Sequence, residues 1–255
     1  MKEHKGIIVF LIGILLIIVG VSIGGMNQLN FHFIARPHLE EDIHYQIPAH
    51  QEDWDLKMEV SYINVEVKER DIPYIEINAT NVYRGLDIQY DHHEISIEQP
   101  HYLRTHNHPT KVLIYVPTGF QFDQVEIESS LGQTNISGIH AKTMDVDNLL
   151  GQTNMRKCIV DSINVDNLLG QTNLSQLTSQ DVLSVDSMLG NINVQLDHSI
   201  DDFERYIDVF FGSYRVNDYH YSGFSSEETN NHNNHKLEID CGFSSINIQE
   251  GGNYE

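Results

Sequence analysis

Basic residues are scarce in this sequence. Its 255 residues include 15 Lys and Arg against 37 Asp and Glu, which gives a formal net charge of -22. A chain this acidic repels nucleic-acid backbones and anionic lipid headgroups. The charge balance therefore excludes nucleic acid as an expected partner.

Cysteine is scarce as well, with Cys158 and Cys241 alone. Two cysteines cannot form the framework of a disulfide-rich scaffold, and neither lies near the N-terminus, where a lipoprotein anchor would be attached. The repeat described below separates them by about three turns, on the order of 15 Å at roughly 4.8 Å per strand. A disulfide does not span that distance, so we expect two buried, free thiols.

Motifs that carry catalysis or metal binding are missing. The sequence has no GxSxG, HExxH, P-loop, GxGxxG or CxxC pattern. Its closest-spaced histidines, at 92–93, 106–108 and 232–235, lack the spacing of zinc ligands, and we interpret them as solvated loop residues. The acidic residues follow a repeat instead of converging with basic residues in a groove. We predict no cofactor, no metal site and no enzymatic activity.

A single long apolar run lies near the N-terminus. The stretch from Ile7 to Ile23 is nearly continuous branched aliphatic and carries no charge, which is long enough to span a bilayer. We predict a cytoplasmic tail at 1–5 and a transmembrane helix at 6–26, with Lys2 and Lys5 holding the N-terminus inside and the rest of the chain outside. A cleaved signal peptide is the alternative, although the run is long for one and no small-x-small site follows it.

Hydrophobic alternation begins after residue 55. Residues 27–55 are mixed and without a sustained period, so we predict a linker or stalk there. The segments MEVSYINVEV, YIEINAT, HEISIEQ and KVLIYVP then alternate apolar and polar residues, as half-buried strands do. We predict an all-β extracytoplasmic domain over 56–255.

A repeat is clearest over 121–200. The segments LGQTNI, LGQTNM, LGQTNL and LGNINV place glycines at Gly132, Gly151, Gly170 and Gly190, and looser echoes follow at Gly212 and Gly242. Successive units are 19, 19 and 20 residues apart. Each glycine is predicted to occupy a corner that needs positive φ or leaves no space for a Cβ.

Columns of equivalent residues appear when the units are aligned on these glycines. The predicted repeat core is Ile136, Val146, Met155, Val165, Leu174 and Val185. Polar residues flank each apolar one, which is strand alternation. One unit buries too few side chains to fold alone, so the units must stack. The predicted fold is all-β, a stacked β-solenoid or β-roll-like repeat domain preceded by one transmembrane α-helix.

Two polar columns are candidate sites. Asparagines recur three residues after each glycine, at Asn135, Asn154, Asn173 and Asn193. We expect them to form a hydrogen-bonded amide ladder, with a polar binding stripe as the alternative. The aspartates at 147, 166 and 186 would stack at about 5 Å and repel one another by roughly 1 kcal/mol in water. A divalent cation could relieve that repulsion, although no GGxGxD calcium signature is present.

The strand sequences also resemble a known family. KVLIYVP at 111–117, QVEIESSLGQTNI at 124–136 and VDNLLGQTNM at 146–155 resemble the putative-adhesin β-strand-repeat family (DUF4097) of bacterial envelope proteins. The resemblance covers roughly residues 56–250 and implies a non-enzymatic, surface-facing β domain. The basic N-terminus and single apolar helix also resemble members encoded beside envelope-stress systems, such as the Lia group of Gram-positive bacteria.

Two functions are compatible with this sequence. The first is a membrane-anchored interaction module that binds an unknown envelope polymer or protein ligand outside the cell. The second is an envelope-stress sensing protein that acts through helix or outer-domain contacts. Only five residues precede the predicted helix, which favours the first. A localised site is expected where the repeat breaks, at His101 to Pro109 or in the loop before Leu237.

Overall fold

A computed structural model describes residues 41–49, 54–60, 63–82, 85–91, 93–99, 110–197, 199–229 and 235–250. All of them belong to one unit, His38–Glu255. The predicted transmembrane helix at 6–26 lies outside the described residues, and no helix within them is long and apolar enough to cross a membrane. The domain is all-β, which confirms that part of the predicted fold.

The described residues form thirteen strands and one short 3-10 helix, Ile200–Asp202. The strands are β1 Ile43–Pro48, β2 Trp54–Val60, β3 Ile63–Arg70, β4 Tyr74–Thr80, β5 Asp87–Asp91, β6 Glu94–Glu98, β7 Thr110–Pro117, β8 Gln121–Ser137, β9 His140–Arg156, β10 Ile159–Leu196, β11 Phe203–Val216, β12 Tyr219–Thr229 and β13 His235–Glu250.

One layer shows how the sequence repeat becomes structure. In β8, Gln121 pairs with His140 while Ser137 pairs with Arg156, and both pairings are parallel. The chain passes from Ser137 to His140 within three residues, so the two ends of a layer lie close together. Each layer therefore runs out along one strand, bends at its glycine and returns along a second strand.

Ten such levels follow one another through the sheet. In spatial order they are β5 with β4, β6 with β7, β2 with β3, β8, β9, the two halves of β10 at 159–177 and 178–196, β13, β11 and β12. Strand β1 adds to the outer edge of β4. Side chains that point inward from the two halves of each layer form one continuous core.

Backbone crowding explains the glycine at the bend. A Cβ added to Gly151 would lie 2.2 Å from the carbonyl oxygen of Gly132, and one added to Gly170 would lie 1.9 Å from that of Gly151. Gly190 meets the Gly170 carbonyl oxygen at 1.9 Å in the same way. Gly132 lies 2.0 Å from the Ile63 carbonyl oxygen and also has φ of 144°. Close approach of successive backbones is therefore the main reason for this column.

A second bend, between one layer and the next, uses the left-handed conformation. Gly138, Lys157 and Gln176 occupy equivalent positions there, with φ of 67°, 52° and 53°. Two of the three are not glycine, so the sequence repeat does not mark this bend. A buried row lines it: Ile139, Cys158 and Leu177.

The layers do not follow chain order at either end. The last strand, β13, inserts between β10 and β11, pairing in parallel with both. In that layer Ser244, not Gly242, stands opposite Gly190 at the corner. Gly212 does lie in the glycine column at the corner, since a Cβ added to it would lie 2.0 Å from the Ser244 carbonyl oxygen. Gly242, the other predicted repeat glycine, is two residues out of register with that column.

The structure also places the predicted linker and the two cysteines. Strand β1 lies inside the segment predicted as a linker, and it pairs antiparallel with β4. Only Ile47 of its six residues is buried, so it lacks the alternation by which the other strands were predicted. Cys158 and Cys241 are both buried and are not bonded to each other, Cys158 at the return bend and Cys241 in β13.

Replacing Gly151 with Ala tests the crowding at the corner. We expect the free energy of unfolding to fall by about 1–3 kcal/mol, because the added Cβ must displace a backbone carbonyl that has no room to move. Thermal and denaturant unfolding measure the change. Ser245→Ala alters an exposed residue beside the corner position of the β13 layer, three layers along the stack, and should leave stability nearly unchanged. An equally small effect of Gly151→Ala would contradict the crowding.

Candidate interaction surface

Stacking in register converts each repeated outward-facing position into a stripe along the surface. Three stripes follow the stack, and we name them by their chemistry. The amide columns lie on the strands after the glycine corner, the carboxylate column lies on the strands before it, and the apolar ridge lies at the corner itself.

The amide columns contain a continuous hydrogen-bonded ladder. Asn154 donates from Nδ2 to Oδ1 of Asn135 at 2.9 Å, Asn173 donates to Asn154 at 2.8 Å, and Asn193 donates to Asn173 at 2.9 Å. The backbone register extends the column to Asn247 in β13. Each amide nitrogen has two hydrogens, so a second donor remains on each ladder member.

Glutamines form a parallel column beside this ladder. Gln152 donates from Nε2 to Oδ1 of Asn154 at 3.1 Å, and Gln171 donates to Oδ1 of Asn173 at 3.0 Å. Gln133 donates to Oε1 of Gln152 at 3.3 Å, which links the column along the stack. The two columns together make an uncharged, donor-rich surface with a period of about 4.8 Å.

Buried polar side chains support the corner from inside, a feature that sequence reasoning missed. Asn148 donates from Nδ2 to the Thr153 hydroxyl oxygen at 3.3 Å, and Asn167 donates to that of Thr172 at 3.1 Å. A Cβ at Gly151 would lie 2.9 Å from Oδ1 of Asn148. The repeated letters NLLGQT carry this signal, since an Asn five residues before a Thr recurs in successive units.

The carboxylate column is longer than the three predicted aspartates. It aligns nine acidic residues across nine levels of the stack. Its members, in spatial order, are Asp87, Glu98, Glu59, Glu128, Asp147, Asp166, Asp186, Asp240 and Asp208. Five of these residues lie outside the clearest repeat at 121–200, so its period did not align them: Asp87, Glu98, Glu59, Asp240 and Asp208.

Loss of hydration and neighbouring like charges both disfavour ionisation in this column. Loss of hydration raises the pKa of Asp186 to about 6, and Asp166, Asp240 and Glu238 add repulsion. Loss of hydration also raises the pKa of Asp147, with a further contribution from Asp166. The pKa of Asp166 is raised by the same two causes, burial first and then repulsion from Asp145. Part of this column therefore changes charge near neutral pH.

The apolar ridge exposes large side chains along the corner. Leu149 is 46% exposed and Leu150 is 38% exposed, and the ridge continues through Leu169 to aromatic residues in the last layers. There, Phe224 packs against Phe211 with ring centroids 5.2 Å apart. Exposed apolar rows of this kind mark interaction surfaces on soluble domains.

The structure places the predicted core residues and corner glycines as follows. The six predicted core residues are all buried on the inner faces of their layers: Ile136, Val146, Met155, Val165, Leu174 and Val185. The four predicted glycines lie in one row at the corner. No group of three or more His, Cys, Asp or Glu side chains among the described residues is arranged to hold a metal ion. The predicted local sites at 101–109 and at 230–234, before Leu237, lie outside those residues.

Comparisons with known proteins give a limited result. No protein-family model and no curated protein matches the chain. A putative cell adhesion protein from Clostridium sporogenes is 14% identical with a TM-score of 0.49, over 85% of this chain and 100% of its own. A putative adhesin from Bacteroides fragilis is 9% identical with a TM-score of 0.46, over 82% and 98%. Similarities this low carry no argument about function, so the family resemblance of the sequence stays a prediction.

The raised pKa of Asp186 predicts a pH-dependent stability. Its folded pKa of about 6 lies above the ordinary value of 3.8, so the folded state binds more protons between those values. Stability should therefore rise as pH falls from about 7 toward 4. Asp186→Asn should stabilise the fold at pH 7 by about 1 kcal/mol, because solvent around the partly exposed side chain weakens the effect. The stabilisation should be smaller at pH 5, where Asp186 is already mostly protonated in the folded state.

Unfolding in urea at pH 7 and pH 5 measures this difference. Asp218→Asn is the matched control, because Asp218 is an exposed acidic residue outside the carboxylate column. A stabilisation by Asp186→Asn that is the same at both pH values would show that the column does not titrate as described.

The amide ladder makes a separate stability prediction. Asn173→Ala removes the hydrogen bond to Asn154 and those from Asn193 and Gln171, so we expect a loss of about 1–3 kcal/mol in the free energy of unfolding. Asn191→Ala, at an exposed position in the neighbouring column, is the control. Thermal unfolding compares the two, and equal effects would show that the ladder adds nothing to stability.

Proposed function

We propose that this chain is a non-enzymatic, membrane-anchored cell-envelope protein that displays an adhesin-like β-repeat interaction domain outside the cell. The apolar run at 6–26 would form the anchor, with the N-terminus in the cytoplasm. We also infer that the layers form a β-roll-like solenoid. The support for that inference is the parallel, in-register pairing of successive 19-residue units.

The observation that carries the proposal is the repetition of identical surface groups at one fixed spacing. An enzyme concentrates unlike residues at one point, whereas this surface presents the same amides level after level. A repeated surface suits a ligand that is itself extended, such as a polymer strand. The function is therefore binding along the stack.

The amide columns are the favoured contact for an envelope polymer. Their remaining N–H donors fit the hydroxyl and carbonyl oxygens of a neutral, polar chain such as a glycan. The carboxylate column on the other side of the corner would repel anionic polymers and would hold water strongly. The two sides of the domain can thus be tested against each other.

A cosedimentation assay with insoluble cell-wall sacculi tests this function. We expect the full chain in detergent to sediment with the sacculi, and the double variant Gln152→Ala/Gln171→Ala to bind at least about tenfold more weakly, a change of about 1.4 kcal/mol. The matched control is Glu126→Ala/Asp145→Ala, which alters the same number of side chains on the carboxylate side. The proposal would be refuted if the unaltered chain did not bind the sacculi, or if both double variants lost the same amount of affinity.

Envelope sensing is the second candidate, and the carboxylate column favours it. A column that includes Asp186, with a pKa of about 6, changes charge when the surroundings acidify modestly. Such a change would alter the stability and the surface charge of the outer domain together. Comparing the envelope-antibiotic response of cells that carry the parent chain or Asp186→Asn separates this role from polymer binding.

A further inference from the structure

The two ends of the stack treat their edge strands differently. At one end, β5 has five residues with Asp87 and Asp91 at its termini, and β1 has six residues and finishes at Pro48. Short strands, charges and proline are features that prevent a sheet edge from pairing with another chain. The rings of Tyr45 and Tyr90 lie 6.3 Å apart across this end.

The opposite edge strand, β12, lacks most of those protections. It has eleven residues and contains no Lys, Arg or Pro. Within the part of the chain that the structure describes, β12 pairs with β11 alone, which leaves the backbone groups along its outer side available. Its Tyr219 is 70% exposed and its Phe224 is 67% exposed. A long edge without proline, charged only near one end at Glu227 and Glu228 and carrying exposed aromatic residues, favours pairing with another strand.

We propose that this edge binds a second copy of the chain, with the two β12 strands pairing antiparallel across a two-fold axis at Phe224. Pairing over the full strand sets Tyr219 of one copy opposite Thr229 of the other. The same register sets His220 opposite Glu228 in both halves of the dimer and Phe224 opposite itself. A two-fold contact of this kind is closed, so it ends at two copies.

Charge favours this register over its neighbours. Side chains stay on the same face only when the register shifts by an even number of residues. The nearest shift in one direction would set Glu228 opposite Asp218, which places like charges together. The shift in the other direction carries His220 beyond the end of the partner strand. The full-length register therefore combines the most backbone hydrogen bonds with the best match of charge.

Aromatic residues around Phe224 supply an apolar centre for the contact. The Phe224 ring lies 5.2 Å from both Phe210 and Phe211, and Phe243 lies 6.0 Å from Phe210. Phe211 is 55% exposed and Phe243 is 40% exposed. The two-fold axis would bring two such clusters together, so apolar surface that is exposed in one copy would be covered in two.

Cysteine cross-linking tests the register directly. Phe224→Cys should form a covalent dimer under mild oxidation, because residues directly opposite on paired strands have Cβ atoms about 4.5–5.5 Å apart. A mixture of His220→Cys and Glu228→Cys chains should cross-link to each other, while each variant alone should not. The parent chain is the control, since Cys158 and Cys241 are buried and burial raises the pKa of both thiols.

The mass of the full chain in detergent tests the association itself. Light scattering should give a dimer at protein concentrations on the order of 100 µM, since small interfaces bind in the micromolar range. Phe224→Lys places two like charges on the axis and should give a monomer that keeps the β circular-dichroism spectrum of the parent chain. Tyr90→Lys, an equivalent change on the opposite edge strand β5, should remain a dimer.

The outcomes separate this inference from the proposed function. A monomeric parent chain, a dimer that survives Phe224→Lys, or faster cross-linking of His220→Cys alone than of Phe224→Cys would each overturn it. Sacculus binding is measured with the amide-column variants, which lie several layers from β12. Either result can therefore fail while the other holds.

Discussion

The close approach of backbones at the glycine corner is the constraint on which this structure depends. At Gly151, Gly170 and Gly190 the carbonyl oxygen of the preceding layer occupies the space where a side chain would begin. Glycine at these three positions lets each bent layer follow the one before it at the normal spacing of paired strands. Because both halves of each repeat layer stay hydrogen-bonded around the bend, equivalent residues of β8, β9 and the first half of β10 lie above one another.

Vertical alignment of equivalent residues has opposite effects on different side chains. Stacked asparagines gain hydrogen bonds, because an amide is both a donor and an acceptor. Stacked carboxylates only repel, and this repulsion adds to the loss of hydration that raises the pKa of Asp186. The carboxylate column persists because it faces water, where the repulsion is weak. The same geometry thus produces a stabilising ladder on one side of the corner and a titrating stripe on the other.

A stack of this kind must also end, and its two ends differ. Short strands with terminal aspartates or proline finish one end, whereas the eleven residues of β12 finish the other without charge or proline along most of their length. The repeat supplies no cap of its own, because each layer offers the same backbone groups that it uses. A partner for β12 must therefore come from outside the repeat. The proposed partner, β12 of a second copy, matches it in length and charge.

The sequence by itself determined the strands of the repeat, the glycine row and the amide ladder, but not strand β1, whose residues do not alternate. A period of 19 residues is enough for this, since equal spacing becomes vertical alignment once strands pair in parallel. Only the tertiary structure decided the order of the layers, the placement of β13 beside β10, and the addition of Glu59 and Glu98 to the carboxylate column. The reason is that backbone hydrogen bonds can join any two strands of matching alternation. Which strands become neighbours therefore depends on how side chains from segments distant in the sequence pack together. The left-handed turn at Lys157 and Gln176 was hidden for a related reason, because the buried row behind it, and not the residue type, imposes that conformation.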